Sequence, residues 1–543
     1  MLSLFSVATL SAQDSVFSYT HQGTTLYYII DSNSEAMVVG PLYPHRHWNA
    51  DSTYTDSWYG YPKPQGAVVV PDSVERNNIR YPVTSIGNHA FFRCDSITSV
   101  VLPDNVTKFG KTSFARCTRM TTVTLPAALT DLGRYTFQLC ESLQSIDIPS
   151  TITEIPESAF QYCYSLSNVV FPQGLTSIGY CGFGDCHSLT TVTLPESVTT
   201  LGDYAFAACL NLTSIQLPTG LTSIGTACFQ YDSSLTSIVI PAGVDTIFSS
   251  TFAYCNHLQS VTLQEGLTDI GIFAFGSCNN LRSISLPSTL ETIGGWAFCF
   301  CHALESVTVP EGVRAIEEFT FHECYSLTSV QLPSTLVNLS GAAFQYDTSL
   351  SAISIPASVD SIGQWAFFGC YSLETVELTE GLRAIGTCAF DSCNNLRHIT
   401  FPSTLRLIGN EAFSSALDTI VLLCSNPPTI FSNTFLHYNG TLVVPCFTTL
   451  GYRQHPYWGR FAEIIEDCNG IEDAESDNMK IHVRDGRLIV EGAEGEAVQV
   501  YDMTGRQLLS FTSRLSPLAF STGVYMVRVG NHPAHKVIIF NEQ

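Results

Sequence analysis

The most regular feature of the sequence is a phenylalanine that recurs every 23 residues within an alternating apolar and polar pattern. In the stretch SIGNHAFFRCDSITSVVLP, residues 85–103, Phe91 is followed by Cys94 and then by Pro103. The same spacing continues without a slip through Phe114, Phe137, Phe160, Phe183, Phe206, Phe229, Phe252, Phe275, Phe298, Phe321, Phe344, Phe367, Phe390 and Phe413. Cys follows the Phe by three residues in twelve of the copies. A fixed period of this length indicates that each repeat is one structural unit stacked on its neighbours.

Within one repeat, the pattern predicts a short strand. Val100 and Leu102 alternate with Ser99 and Val101, as in a strand with one buried face. Pro103 ends the strand because proline cannot donate to the sheet ladder. One repeat cannot bury its own apolar side, whereas stacked repeats can. The sequence therefore predicts a repeat solenoid in which each 23-residue coil adds one strand to a parallel sheet.

A second period of 115 residues lies on top of the first. The stretch FGSCNNLRSISLPSTL at 275–290 recurs as FDSCNNLRHITFPSTL at 390–405. Asp replaces the repeat Cys at Asp232 and at Asp347, which are separated by the same distance. We interpret this as the duplication of a block of five repeats.

The repeats closely resemble the leucine-rich repeats of the BspA type. The stretches LTSIQLPTGLTSIGTACF at 212–229 and LETVELTEGLRAIGTCAF at 373–390 carry the resemblance, which covers about 83–423. It implies a curved leucine-rich-repeat solenoid with its parallel sheet on the concave face. Members of this family are mostly bacterial surface proteins that bind host or microbial macromolecules, so the resemblance implies a surface binding protein.

The two ends of the solenoid depart from the period. Residues 1–13 are apolar and end in small residues, which predicts a secretory signal cleaved after Ala12. No Lys or Arg precedes Arg46, so we expect this signal to be truncated. Residues 14–82 are predicted to form an N-terminal β cap and 424–468 a C-terminal cap, because an open solenoid end exposes its core. The polar stretch at 469–478 is predicted to be a linker.

The last segment, 479–543, has strand patterns broken by glycine turns and predicts a small antiparallel β-sandwich. It resembles the C-terminal sorting domain of the type IX secretion system of Bacteroidetes. The matching residues include Tyr501, Asp502, Gly505, Gly523, Tyr525, Val527 and Lys536. The resemblance implies export through the periplasm, handling by the type IX secretion machinery and attachment at the outer membrane. The alternative is a terminal β module that binds a partner itself.

Composition narrows the classes of partner. The net charge is −24 and only 13% of residues are charged. An acidic chain without a basic run argues against nucleic acid and against an anionic membrane surface. No segment reaches the ~20 consecutive apolar residues that a membrane-spanning helix needs.

Nineteen cysteines raise the question of disulfides. Equivalent positions on neighbouring coils lie ~5 Å apart, which is within the range of a disulfide. However, Asp or Ala replaces the Cys in three copies, and free Cys is a common buried residue. We favour a buried thiol ladder over disulfides and over a metal ladder, since a lone Cys per coil lacks ligand spacing. Disulfides are expected instead among Cys299, Cys301, Cys424, Cys446 and Cys468.

Catalytic and metal-binding signatures are weak. The chain has no G-x-S-x-G elbow, no H-E-x-x-H and no phosphate-binding glycine loop. His45 and His47 could supply half a metal site, but no third ligand can be named and a solvated loop is favoured. His187 and His302 fall in the variable part of a repeat and are interpreted as turn residues. We therefore predict neither an enzyme nor a cofactor or metal.

The predicted outward face of the sheet is the candidate binding surface. Its first outward position is Ser or Thr in eleven of fourteen copies. The candidate binding residues are Thr122, Thr124, Ser145, Asp147, Thr191, Thr193, Ser214, Gln216, Thr262, Ser285, Thr308, Gln331, Glu377 and His398. One interpretation is that these residue types simply suit a half-exposed strand. The other is a hydroxyl-lined surface for an extended partner such as a host matrix protein, a mucosal glycoprotein or another bacterial surface. A structural surface spacer without a ligand is the alternative function.

Overall fold

The computed structural model describes residues 16–42, 57–446 and 448–467. It also describes, in the C-terminal segment, 480–484, 487–491, 497–501, 506–512, 518–519, 523–529 and 535–539. The chain divides into two compact units, Met1–Glu466 and Asp467–Gln543. The predicted signal, the linker, His45 and His47 lie outside the described residues.

Each coil of the first unit contributes one strand to a row of parallel strands, called the major sheet here, which consists of several successive hydrogen-bonded ladders. Ser145 pairs with Asn168 and Thr191 pairs with Ser214, so partners are one repeat apart. The strands are Gly66–Val69, Ile97–Val101, Thr122–Thr124, Ser145–Asp147, Asn168–Val170, Thr191–Thr193, Ser214–Gln216, Ser237–Val239, Ser260–Thr262, Ser283–Ile284, Ser306–Thr308, Ser329–Gln331, Ala352–Ile355, Thr375–Leu378, His398–Phe401, Thr419–Leu422 and Thr441–Pro445. The predicted parallel-strand solenoid is confirmed.

A second, narrower parallel sheet, the minor sheet, runs along another side of the coils. Its strands are Ile79–Ile86, Lys108–Phe109, Glu154–Ile155, Ser177–Ile178, Thr200–Leu201, Ser223–Ile224, Thr246–Ile247, Asp269–Ile270, Thr292–Ile293, Ala315–Ile316, Asn338–Leu339, Ser361–Ile362, Ala384–Ile385 and Leu407–Ile408. Ile155 pairs with Ile178, and both are buried. The glycine after most of these strands permits close stacking, since a Cβ at Gly225 would lie 2.4 Å from the backbone nitrogen of Asp203.

The repeat phenylalanines form one continuous stack through the core. Successive rings from Phe91 to Phe413 are stacked with centroids 5.1–6.0 Å apart. The stack extends one step further, to Phe435, at 5.4 Å. Each ring therefore buries its faces against the rings of the coils before and after it, which couples neighbouring coils directly.

The repeat cysteines are free thiols that donate hydrogen bonds to backbone carbonyls. The Sγ of Cys140 donates a hydrogen bond to the carbonyl of Phe114, 26 residues earlier, at 3.3 Å. The same bond recurs along the array at 3.1–3.3 Å. Seventeen of the described cysteines are free and buried, and the twelve at the repeat position form the predicted thiol ladder. Burial raises the pKa of these thiols, as at Cys140.

One cysteine outside the ladder is oxidised, as expected. Cys446 is disulfide-bonded. Cys299, Cys301 and Cys424 were also candidates for disulfides, and this was wrong, because all three are buried free thiols. Cys424 instead donates through Sγ to the carbonyl of Pro402 at 3.1 Å.

Both ends of the solenoid place a buried tryptophan against a coil. Trp58 donates from Nε1 to the carbonyl of Ala90 at 2.8 Å, and Trp458 donates to the carbonyl of Pro428 at 2.8 Å. The N-terminal elements besides the strands given above are Phe17–His21, Thr24–Ile30, Ala36–Val39 and Ser73–Arg76. The last elements are the helix Thr449–Gln454, the 3-10 turn Trp458–Arg460 and the strand Glu463–Asp467.

The second unit consists of two antiparallel sheets. One contains Lys480–Arg484, Arg487–Glu491 and Leu518–Ala519. The other contains Ala497–Tyr501, Gln507–Thr512, Gly523–Val529 and His535–Ile539. Val498, Val500 and Val527 are fully buried. The predicted small antiparallel β domain is therefore present.

Candidate binding surface

All fourteen candidate residues lie on the outward side of the major sheet with exposed side chains. They are Thr122, Thr124, Ser145, Asp147, Thr191, Thr193, Ser214, Gln216, Thr262, Ser285, Thr308, Gln331, Glu377 and His398. Thirteen lie within strands, and Ser285 directly follows the strand Ser283–Ile284. The inward residues between them, such as Val192 and Ile215, are buried in the core. Strand alternation therefore separates core and surface residues as the pattern predicted.

The parallel register arranges these residues into two columns. In one, Thr191 lies beside Ser214; in the other, Thr193 lies beside Gln216. The second column includes Thr308, which lies beside Gln331. Residues that are 23 apart in the sequence thus become lateral neighbours, and a surface of hydroxyl and amide groups extends along the array.

The polar groups of these two columns differ from those of the adjacent column, one residue earlier in each coil. There, the Oγ1 of Thr213 donates to the carbonyl of Thr190 at 2.9 Å, and Thr236 donates to Thr213 at 3.3 Å. By contrast, within the described parts of the chain none of the fourteen candidate side chains is hydrogen-bonded to another residue. Their donors and acceptors are consequently open to an external partner.

The structure adds an apolar component to this surface. Val101, Val170 and Val239 occupy the second outward column at every third coil and are 52%, 50% and 57% exposed. An open groove of about 590 Å³ lies at the last of them, with Gln216 and Gln264 among its lining residues. The sequence placed these valines in the column, but their regular spacing was not recognised as a feature of the surface.

Carboxylates at the edge of this surface connect neighbouring coils. Glu311 accepts hydrogen bonds from the backbone N–H and the hydroxyl of Ser334, at 3.2 and 2.8 Å. Glu265 and Glu380 bind Ser288 and Ser403 in the same way. These hydrogen bonds lower the pKa of all three glutamates, the backbone N–H contributing most. Sequence reasoning missed these pairs, which are again 23 residues apart.

The candidate sorting residues occupy the second unit. The Tyr501 hydroxyl donates to Oε1 of Gln499 at 2.8 Å, and Val527 is buried. Gly523, Tyr525 and Val527 lie in one strand, and Tyr525 pairs with Val537 in the next. Lys536 lies in that last strand. Asp502 and Gly505 lie outside the described residues.

Parallel strands at a constant 23-residue period define a leucine-rich-repeat solenoid. The chain matches the family described as the BspA type Leucine rich repeat region over 72–186, 153–270, 245–350 and 340–444. These matches together extend from 72 to 444, which is more than half of the chain. The protein therefore belongs to the BspA-type leucine-rich repeat family.

One solved structure agrees with this fold, and a second is similar in sequence. A leucine-rich repeat protein from Bacteroides ovatus is 27% identical with a TM-score of 0.53, and the match covers 71% of this chain and 98% of that one. A leucine rich cell surface protein from Faecalibacterium prausnitzii is 25% identical with a TM-score of 0.40, covering 67% and 96%. A search of curated proteins returned no match. In the described part of the chain, no helix has the length and apolarity to cross a membrane.

Proposed function

We propose that this protein is an exported, surface-attached adhesin that binds an extended macromolecule through the two outward columns of the major sheet. The observation that carries the proposal is the contrast between neighbouring columns. Thr213 directs its hydroxyl to the backbone, whereas the adjacent Ser214 and the fourteen-residue surface leave theirs open. A regular set of open donors and acceptors suits a repetitive partner that forms many weak hydrogen bonds.

The chemistry of the surface favours a macromolecule over a small ligand. Small-molecule sites are usually concave and mostly apolar with a few polar groups. The major sheet is instead a long hydroxyl-bearing face with spaced valines and a shallow groove at Val239. We propose a host matrix protein, a mucosal glycoprotein or another bacterial surface as the partner. The protein would act by binding rather than by catalysis.

A binding experiment with matched variants tests this proposal. The full chain is applied to immobilised matrix proteins, mucin and whole bacterial cells. The triple variant Thr191→Val, Thr193→Val and Thr262→Val removes open hydroxyls while keeping shape. The control is the triple variant Thr213→Val, Thr236→Val and Thr328→Val, whose hydroxyls bond the backbone.

We expect the first variant to lose most binding and the control to keep it. Equal binding by both variants would refute a role for the two columns. If the unmodified chain captures none of these partners, a structural spacer becomes the better description. Circular dichroism on each variant separates loss of binding from loss of fold.

For the attachment step, we propose that 1–13 directs export and that 479–543 acts as a type IX sorting domain. The proposal is supported by the sequence resemblance and by the antiparallel strands around Val500 and Val527. Surface fractionation of the native host with and without 479–543 tests it. We expect the truncated protein to accumulate in the periplasm; unchanged surface localisation would contradict a sorting role.

A further inference from the structure

The negative charge of the protein is concentrated in the middle of the solenoid. Residues 135–382 contain 22 of the 48 Asp and Glu residues but only two of the 24 Lys and Arg residues, Arg282 and Arg314. This stretch therefore carries −20 of the total −24. Two of its carboxyl groups, Asp232 and Asp347, are buried, and the others are available at the surface. A field of one sign over many coils attracts partners of the opposite sign.

Part of this charge lines a groove on the minor sheet, which is a different face from the major-sheet columns. The groove has a volume of about 810 Å³, and Asp269, Glu291 and Glu317 are among its lining residues. Arg314 is the one cation among the described residues that line it. A second groove of about 480 Å³ adjoins it, since Phe248 lines both. Together they form a long acidic trough, which we call the minor-sheet groove.

The minor-sheet groove also exposes apolar surface that the fold does not need. Phe248 occupies the position after the minor-sheet strand, where the neighbouring coils have Gly225 and Gly271. Its ring is 43% exposed, and Ile272 in the next coil is 58% exposed. Exposed side chains of this size contribute little to coil stacking, but they provide contact area for a partner.

A row of aromatic residues follows groove-lining residues closely in the sequence. Phe273, Trp296 and Phe319 occupy equivalent positions in three consecutive coils, with φ of 57°, 62° and 58°. The positive φ belongs to this position of the coil, since Ala227 and Ala342 share it at 53°. Other coils place Ala227 and Ala342 at the same position, so a ring is not required by the fold.

Two of these rings, those of Trp296 and Phe319, stack on each other. Their centroids are 4.0 Å apart, and both rings are half-exposed. Phe319 directly follows Glu318 and lies two residues after Glu317. A cation that pairs with one of these carboxylates is attracted further where an aromatic face lies within ~6 Å, because cation–π attraction and charge pairing act together.

We propose that the minor-sheet groove binds an extended, basic segment of a partner protein. Its Arg or Lys side chains pair with Asp269, Glu291 and Glu317, and its apolar side chains pack on Phe248 and Ile272. Charge complementarity selects this occupant, since a neutral glycan would leave the carboxylates without counter-charges. The site is separate from the major sheet, so it does not depend on the function proposed for that face.

The experiment measures binding of a fluorescent synthetic peptide in which Arg alternates with Leu and Ser. Full-length protein is titrated and anisotropy is recorded at low salt and at ~0.15 M salt. A peptide with Glu in place of Arg and a neutral oligosaccharide serve as comparison ligands. The double variant Asp269→Asn and Glu317→Gln removes two groove charges. Glu141→Gln with Glu374→Gln, both exposed and outside the groove lining, makes the same charge change elsewhere.

We expect the basic peptide to bind to the unmodified protein. The groove variant should raise the Kd about tenfold, equivalent to ~1.4 kcal/mol. The matched variant should leave the Kd nearly unchanged. Phe248→Gly and Phe319→Ala introduce residues that other coils have at these positions. These variants should therefore weaken peptide binding without unfolding the solenoid. If the groove variant and the matched variant lost the same affinity, the binding would depend only on the net charge of the protein, and the proposal would be overturned. Binding of the oligosaccharide or the acidic peptide instead of the basic one would overturn it as well.

Discussion

Asp232 accepts a hydrogen bond from the backbone N–H of Cys209 through Oδ1, at 2.8 Å, in a position that most coils give to cysteine. Asp347 makes the same bond with Cys324, five repeats later. In both residues Oδ2 is buried and has no hydrogen-bond partner among the described residues. Burial therefore raises the pKa of both carboxyl groups well above the ordinary value, because the charged form loses its solvation.

This pair should make the solenoid less stable as the pH rises. A carboxyl whose pKa is raised by folding binds more protons in the folded state, so its stabilising effect is complete below the unfolded pKa of about 3.9. That effect is lost as the pH rises towards the folded pKa. The variant Asp232→Asn with Asp347→Asn keeps the Oδ1 acceptor and should remove this decline.

The check is the melting temperature of both proteins from pH 4 to pH 8. As the pH rises, the variant should become more stable than the unmodified chain, because its amides cannot ionise. We expect the difference in the free energy of unfolding to reach about 1–3 kcal/mol per site. Glu141→Gln with Glu374→Gln, two exposed changes of the same kind, controls for net charge. Parallel curves for all three proteins would show that the buried carboxyls do not titrate in this range.

The ring stack should be far more sensitive to truncation than the groove aromatics. Phe252 is fully buried between Phe229 and Phe275, with ring centroids at 5.5 and 5.3 Å. Phe252→Ala should lower the free energy of unfolding by about 3–5 kcal/mol, because it leaves a cavity in a close-packed core. Phe248→Ala, in the same coil but 43% exposed, is the matched control. Urea denaturation of the full chain measures both, and similar losses would contradict the assignment of Phe252 to the core.

The carboxylate–serine pairs predict a specific ionisation. Glu311 accepts from Ser334, which lowers the glutamate pKa, and the bond to the backbone N–H is the larger cause. Ser334→Ala removes only the hydroxyl donor, so the pKa should rise part of the way towards its usual range. Carbon-detected NMR titration of the carboxyl measures the change. Because the folded pKa is lowered, the pair stabilises the fold above the unfolded pKa and loses that effect as the pH falls through the folded one.

A control for this prediction is Ser354→Ala, on the major sheet away from Glu311. It should leave the Glu311 titration unchanged. A Glu311 pKa that does not respond to Ser334→Ala would mean that the hydroxyl does not bind the carboxylate in solution.

The thiol ladder predicts a sharp difference between native and unfolded protein. The seventeen free cysteines are buried, and burial raises the pKa of thiols such as Cys255. Even Cys181, near the surface, has its pKa raised to about 11, chiefly by burial. Iodoacetamide at mildly alkaline pH should therefore modify few or none of these cysteines in the native protein and all of them in denaturant. Peptide mass spectrometry locates the modified sites, and rapid native alkylation within the ladder would contradict the fold.

The sequence could predict this fold because every important contact is between neighbouring coils. Phe252, for example, contacts the equivalent phenylalanines 23 residues before and after it. The period of the sequence therefore predicts these contacts directly. The last ring, Phe435, was missed because it follows Phe413 by 22 residues and breaks the register by one. Local deviations of this kind are settled by packing at the solenoid end, which no period encodes.

The candidate surfaces were harder to predict, for a physical reason. Thr213 and Ser214 have similar chemistry and are both exposed, yet only Thr213 directs its hydroxyl to a carbonyl of the previous coil. That difference depends on the side-chain direction across coils. Phe248 in a glycine position was visible in the sequence, but the groove that it lines requires the stacked minor sheet to be known.

The cysteine ladder has a consequence for the lifetime of the protein. Packing protects the seventeen thiols only while the coils remain stacked. In an oxidising medium such as the one outside a cell, each unfolding event would expose a long row of thiols that can cross-link before the chain refolds. Unfolding there is effectively irreversible, so persistence is governed by how slowly the coils separate and not by an equilibrium stability.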